Sequence, residues 1–195
     1  MLRLSLLIFL LCLVGAGCTV NEVIVADETE LVVADAPADE SRLLDIGIVE
    51  FDPGIDEDNN SRKSGVHEEI RFAETKYLAY HLKTTLQGTG HWGAVRVIPS
   101  REAFTDVVIS GDIEKSDGEF VVLNISVEDA SGTHWYDKSY EAQTGVTSYS
   151  ERRDRRLDPY QKVFNDIAND LHAHAELLEP KRLRQVRQIS ELKFF

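Results

Sequence analysis

The fold is decided by the stretch Asp106-Val107-Val108-Ile109-Ser110-Gly111-Asp112-Ile113 and by the two β-rich runs that follow it, Phe120–Val127 and His134–Glu141. Two turn sequences separate these runs, Ser116-Asp117-Gly118 and Asp129-Ala130-Ser131-Gly132. Asp-Gly and Ser-Gly junctions between such runs are typical of tight β-hairpins. The pattern therefore predicts three antiparallel strands joined by two hairpins.

Two further strands and a helix precede the hairpins. Leu43–Phe51 is a short β-rich run that ends in the turn signal Asp52-Pro53-Gly54. From His67 to Leu86 the chain has no Gly or Pro and its apolar residues recur with a helical period. We expect Gly88 and Gly90 to end this helix. The run Ala94–Ile98, closed by Pro99, predicts the next strand.

Two helical patterns follow the hairpins. The first begins at Asp158-Pro159-Tyr160-Gln161, which has the residues of an N-cap, a first-turn proline and a capping box, and Pro180 breaks it. The second, Lys181–Phe195, is amphipathic with a basic face. The predicted order is β-α-β-β-β-β-α-α. We expect an α+β fold, a two-layer sandwich in which two or three helices cover a mainly antiparallel sheet of about five strands.

The first residues have the layout of a secretory signal. Arg3 precedes an apolar run, Leu4–Val14, and the small residues Gly15-Ala16-Gly17 lead directly to Cys18. The apolar run is too short to cross a bilayer, which needs roughly 20 residues. The small residues followed by cysteine resemble the lipobox of bacterial lipoprotein precursors, with Gly15 where a Leu-like residue is usual. An ordinary secretory signal with a chance cysteine is the alternative.

The lipobox resemblance implies that residues 1–17 are removed and that Cys18 carries diacylglycerol and acyl chains, with no other cofactor. The residue after Cys18 is Thr19 and not Asp. In lipoproteins generally, the absence of Asp at this position implies attachment to the outer membrane, here on its periplasmic face. Residues 18–42 then form an acidic tether, with an edge hairpin as the alternative for its valine runs. We expect the α+β domain at 43–180 and a basic amphipathic C-terminal helix at 181–195.

Charge limits the possible partners. The chain has 21 Lys and Arg against 34 Asp and Glu, a net charge of −13. A body this acidic argues against nucleic acid, whose binding depends on neutralising phosphates. Basic residues cluster only toward the C-terminal end, where they form a possible interaction surface; a solvated loop and docking of the last helix on its own domain are the alternatives. The residues of that surface are Arg152, Arg153, Arg155, Arg156, Arg182, Arg184 and Arg187.

Clusters with catalytic or metal-binding potential do not have the required spacing. His172 and His174 are two residues apart on a helix and point away from each other, so they cannot chelate one ion. The run Asp56–Asn60 resembles part of a calcium loop but is not followed by its glycine and closing glutamate. Cys12 would be removed with the signal and Cys18 would be acylated, so no thiol remains for Cys–His catalysis. We expect no metal site and no enzyme activity, and we expect Trp92 and Trp135 to be core or edge residues.

Two strands are similar to strands of a group of periplasmic domains. The resemblance is to short motifs of the LpoB-type activators of peptidoglycan synthases, of the TolB amino-terminal domain and of curli-secretion lipoproteins such as CsgG. The stretches that carry it are Asp45-Ile46-Gly47-Ile48-Val49-Glu50-Phe51 and Thr105-Asp106-Val107-Val108-Ile109-Ser110-Gly111-Asp112-Ile113. Glu50 stands where those motifs have proline. The resemblance covers residues 43–178 and implies a non-enzymatic domain that binds a protein partner in an envelope complex.

The sequence therefore favours a lipid-anchored periplasmic binding module, an accessory or regulatory subunit of a cell-envelope complex. Its expected partners are an envelope protein and, through the lipid, the membrane; peptidoglycan is possible. Two alternatives stay open. The first is a hydrolase of cell-wall or glycan material that uses carboxylates such as Glu68, Glu69 or Asp106 as acid and base. The second is a structural spacer lipoprotein.

Overall fold

The structure, a computed structural model, describes residues 29–36, 43–55, 67–101, 104–143 and 160–193. These residues form five strands and three helices in the predicted order. The strands are β1 (Ile46–Val49), β2 (Val95–Ile98), β3 (Val107–Ser116), β4 (Phe120–Asp129) and β5 (His134–Gln143). The helices are α1 (Glu68–Thr89), α2 (Gln161–Leu177) and α3 (Pro180–Lys193).

The strands form one mixed sheet in the order β2-β1-β3-β4-β5. β1 pairs in parallel with both β2 and β3, whereas the β3–β4 and β4–β5 pairs are antiparallel. The two predicted hairpins and the α+β class are confirmed, and the sheet is mixed, because β1 has two parallel partners that the prediction of a mainly antiparallel sheet did not specify. The reason is the helical crossover between β1 and β2. A helix returns the chain to the end where β1 began, so the next strand in the sheet runs parallel to it.

The apolar core lies between the sheet and two helices. α1 packs on β1 and β2, and α2 packs on β5 and on α1. Alternate residues of the strands, such as Ile109, Leu123 and Ile125, are buried against the helices. From α2, Phe164 is among the largest side chains that are fully buried.

Two helix boundaries differ from the prediction. α1 continues through Gly88 and ends at Thr89, because the left-handed backbone needed to end it is found at Gly90, with φ 72°. α3 begins at Pro180, which needs no backbone N–H partner at a first helical position. Asp158 and Pro159 lie outside the described residues, so the predicted capping box is not visible; α2 begins at Gln161.

Part of the predicted tether lies on the domain. Residues 29–34 run along α2 without forming a strand, and Leu31 packs against the core. This differs from the free acidic tether expected for residues 18–42 and from the alternative edge hairpin. The rest of that range, including Cys18, and the signal sequence lie outside the described residues. No helix within the described ranges is long and apolar enough to cross a membrane.

Candidate functional site

The C-terminal helix α3 is attached to one end of the sheet by a buried ion pair. Arg182 Nη2 donates to Asp129 Oδ2 at 2.6 Å, to Ser131 Oγ at 2.7 Å and to Thr133 Oγ1 at 2.7 Å. The side chain of Asp129 is 0% exposed and that of Arg182 28%. Trp135 Nε1 donates to the same carboxylate at 3.1 Å. Burial acts to raise the pKa of Asp129, but these hydrogen bonds and the guanidinium outweigh it and lower the pKa.

A second attachment lies farther along α3. Ser190 Oγ donates to Asp106 Oδ1, while Asp106 Oδ2 accepts the backbone N–H of Asp45 at 2.8 Å. Val186, between the two attachments, is fully buried. Burial, together with the neighbouring charge of Asp45, raises the pKa of Asp106 despite its two hydrogen bonds and the nearby Arg187. The helix 180–193 therefore docks on its own domain, one of the two alternatives that its sequence left open.

A cleft of about 880 Å³ opens between α3, the C-terminal part of α2 and the turn after α1. Its apolar lining comes from all of these elements and from the residues before β1: Leu43, Leu44, Trp92, Ala175, Leu178, Pro180 and Leu183. Its polar lining consists of His91, His172, Glu176, Arg184, Arg187, Gln188 and Glu191. The volume is within the range of about 300–1,000 Å³ that is usual for ligand pockets.

The cleft has hydrogen-bond donors without partners. Within the described residues the guanidinium group of neither Arg184 nor Arg187 has a hydrogen bond or an ion pair, although Arg187 is close enough to lower the pKa of Asp106. Trp92 is 8% exposed, and its buried Nε1 has no partner there either. A buried donor without a partner is unfavourable, so a ligand with acceptor atoms would stabilise this arrangement.

His91 and His172 form one wall of the cleft. Their rings are stacked, with centroids 3.6 Å apart and an angle of 10° between the planes. Burial and the neighbouring His172 lower the pKa of His91. Stacked rings direct their nitrogen lone pairs in parallel, so the two cannot converge on one ion. Within the described ranges no group of three or more metal-ligating side chains is close enough to hold a metal.

The structure separates the predicted basic residues into three groups. Arg152, Arg153, Arg155 and Arg156 lie outside the described residues. Arg182 is used in holding α3 to the sheet. Arg184 and Arg187 line the cleft.

Sequence reasoning missed the role of His91 and Trp92. His91 meets His172 only through tertiary packing, and no local pattern signals such a contact. Trp92 is a core residue, as expected, but it also lines the cleft. Trp135 is a core residue and stacks on His174, with 5.0 Å between ring centroids.

The carboxylates proposed for hydrolysis are not brought together. Glu68 and Glu69 begin α1 beside the far end of β3, where Arg71 donates to the backbone oxygens of Ile113 and Ser116 at 3.2 Å each. Asp106 directly precedes β3 at its other end. Ten residues of strand separate these positions by about 30 Å. An acid–base pair of a glycosidase needs a separation of about 5–10 Å, so Asp106 cannot act with either glutamate.

Comparison with known proteins identifies no relative by sequence. No protein-family model and no curated protein matches the chain. Among solved structures it is similar to a PelC dodecamer from Paraburkholderia phytofirmans that carries one leucine-to-methionine substitution, with 16% identity, a TM-score of 0.43 and coverage of 74% of this chain and 95% of that one. A second PelC dodecamer from the same organism gives 16% identity, a TM-score of 0.38 and coverage of 75% and 96%. Similarity at this level assigns neither family nor function, so the resemblance to LpoB, TolB and CsgG stays a prediction.

Proposed function

We propose that this chain is a lipid-anchored binding module on the periplasmic face of the outer membrane, where it serves as an accessory or regulatory subunit of an envelope complex. The cleft under α3 would bind a segment of its protein partner. The observation that carries this proposal is the combination of an apolar lining with side-chain donors that have no partner among the described residues: Arg184, Arg187 and Trp92.

The lining favours a short peptide segment with an apolar side chain and an acidic one. The apolar part would pack between α2 and α3 on Leu178 and Leu183, and the carboxylate would pair with Arg184 or Arg187. Glu176 and Glu191 also line the cleft and would repel a ligand that is anionic throughout. A segment with isolated acidic groups satisfies both constraints.

The proposal also includes attachment of the chain to the membrane through a lipid on Cys18. The signal-like layout of residues 1–17 and the resemblance of residues 15–18 to a lipobox support it. Lipid attachment would hold the domain beside its partner and raise the effective concentration of the cleft there.

Site-specific photocrosslinking in native envelopes tests the cleft. A benzoyl-phenylalanine at Gln188, which lines the cleft, should form a defined adduct with one envelope protein. The matched position is Gln185, which is exposed on the same helix outside the cleft lining and should not give that adduct. Equal crosslinking from both positions would reject the cleft as the binding site. An adduct with glycan or muropeptide would show that the ligand is peptidoglycan.

Charge reversal tests the role of the arginines. R184E/R187E should abolish the Gln188 adduct, whereas K181E, which changes the charge of the same helix away from the cleft, should leave it intact. C18A should release the protein from the membrane fraction and weaken the adduct. Continued membrane fractionation of C18A would contradict lipid anchoring, and adducts unaffected by R184E/R187E would contradict the cleft chemistry.

A further inference from the structure

The segment 29–34, here called the strap, is bound to the helices through its backbone. Asn165 Nδ2 donates to the carbonyl of Thr29 at 2.7 Å, and Asn169 Nδ2 donates to that of Glu30 at 2.9 Å. The backbone N–H of Val32 donates to Asn169 Oδ1 at 2.9 Å. The N–H of Ala34 donates to the carbonyl of Thr89 at 2.8 Å.

The side chains of α2 are placed to hold the backbone of the strap. Asn165 and Asn169 are four residues apart and therefore lie on the same face of the helix. The side-chain amide of Asn169 uses both its donor and its acceptor on the strap, as a neighbouring strand would. Thr89 is the last residue of α1, so its carbonyl has no partner within the helix and is free to accept from the strap.

The strap is held by polar contacts more than by burial. Leu31 packs against the core, but Val32 and Val33 are 47% and 54% exposed. The net contribution of a backbone hydrogen bond is of the same order as the cost of fixing one residue of backbone. The attachment is therefore near balance, and its release leaves every strand pairing of the sheet in place because the strap belongs to no strand.

The position of the strap limits how far the domain can lie from residue 18. An extended chain spans at most about 3.6 Å per residue, so the eleven residues from Cys18 to Thr29 reach about 40 Å. With the strap released, the next residue that the structure places in the domain is Leu43, and the 25 residues from Cys18 to Leu43 span at most about 90 Å. We propose that the strap is a releasable clip that sets the distance between the membrane anchor and the domain, approximately doubling the reach when it opens. This inference rests on the lipid anchor of the proposed function.

Hydrogen exchange of the unlipidated C18A chain tests the attachment without the membrane. V32P/A34P removes the two strap N–H groups that donate to Asn169 and Thr89. We expect exchange of the remaining amides at 29–36 to rise about tenfold, with that of α1 and α2 unchanged. V33P is the matched control, since no hydrogen bond of its N–H is found in the described structure. N165A/N169A should act like V32P/A34P from the helix side, and N124A, on the other face of the sheet, should not.

Energy transfer tests the distance. The chain has two cysteines, Cys12 in the signal and Cys18 at the proposed anchor, so a cysteine introduced at Ser139 can be labelled alone in the lipidated protein. On vesicles of phosphatidylethanolamine and phosphatidylglycerol with an acceptor lipid, V32P/A34P should transfer less efficiently than the wild type and V33P. Equal efficiency in a variant whose strap exchanges rapidly would overturn the clip, as would wild-type exchange in both release variants. Failure of the protein to float with the vesicles would instead refute the lipid anchor and leave the exchange result standing.

Discussion

The helix-covered face of the sheet and the end of the sheet covered by α3 are held in different ways. On the face, Phe164, Ile167 and Leu171 of α2 are fully buried among apolar side chains. At the end, α3 contributes one fully buried apolar residue, Val186, and two partly buried ones, Leu183 and Ile189, and it is also held through Arg182 and Ser190. Apolar packing contributes in proportion to the area buried, whereas a buried ion pair must offset its own desolvation. The face therefore determines the fold, and the end is the region that can change with pH or with a bound partner.

The largest expected effect tests the apolar face. F164A removes a fully buried aromatic side chain and should lower the free energy of unfolding by about 3–5 kcal/mol. Denaturant unfolding followed by circular dichroism measures this. L177A, at a side chain that is 83% exposed, is the control and should change the stability by less than about 0.5 kcal/mol. A small loss in F164A would mean that the face is not the stabilising region.

Removing the ion pair should affect the end of the sheet alone. R182A leaves the carboxylate of Asp129 buried without its cation, and we expect a loss of about 2 kcal/mol, less than for a fully buried pair because Arg182 is partly exposed. Hydrogen exchange should rise in α3 and stay unchanged in α1 and α2. R184A, on the same helix, is the matched control and should be close to neutral. Uniform loss of protection across the domain would show that the two regions unfold as one.

The same difference explains what the sequence could predict. The hairpins are local: Asp117-Gly118 and Ser131-Gly132 lie between alternating runs, so turn chemistry alone predicts them. The helix α2 is equally predictable, because burial of one helix face against a sheet makes the apolar residues recur with a helical period. The parallel partners of β1 depend on where a crossover returns the chain, which no local pattern records. The cleft could not be predicted for the same reason. It is formed where His91 meets His172, and these residues are distant in the sequence.

The strap and the pairing of Arg182 show a further limit of sequence reasoning. Residues 29–34, Thr-Glu-Leu-Val-Val-Ala, lie in a stretch rich in Ala, Asp, Glu and Val, a composition that also fits a free tether. Their attachment depends on Asn165 and Asn169, whose amides give no sign in the sequence of what they bind. Similarly, Arg182 resembles Arg184 and Arg187 in sequence, and only its contact with Asp129 removes it from the accessible basic surface.

The pKa values of the two aspartates under α3, Asp129 and Asp106, are shifted in opposite directions. The lowered pKa of Asp129 contributes stability that is present above its unfolded value of about 3.9 and is lost as the pH falls through its folded pKa. The raised pKa of Asp106 has the reverse effect: the folded state holds that proton more strongly, so stability falls as the pH rises from about 3.9 through its folded pKa. Carboxyl-carbon NMR should give a midpoint below the ordinary value for Asp129 and above it for Asp106. R182A should raise the first and leave the second nearly unchanged; coincident titration of the two groups would contradict these assignments.

The smallest expected effect lies where the cleft meets the strap, at His91. Its ring stacks on His172 and has a hydrogen bond to the backbone of Val32, while Glu176 and Asp35 are the charged groups near it. Because burial and His172 lower its pKa, the neutral ring stabilises the folded state above the ordinary value of about 6.5, and this contribution is lost as the pH falls from there through the folded pKa.

Imidazole NMR should therefore place the midpoint of His91 below 6.5, and H172N should raise it by removing the second-largest cause of the shift. H174N, whose ring stacks on Trp135 instead, is the matched control and should leave the His91 midpoint in place. If H172N had no effect, burial alone would explain the lowered pKa. If instead H172N raises the midpoint and acidification also speeds exchange at 29–36, the strap responds to the charge of this wall, and the end of the sheet is the pH-sensitive region of the molecule.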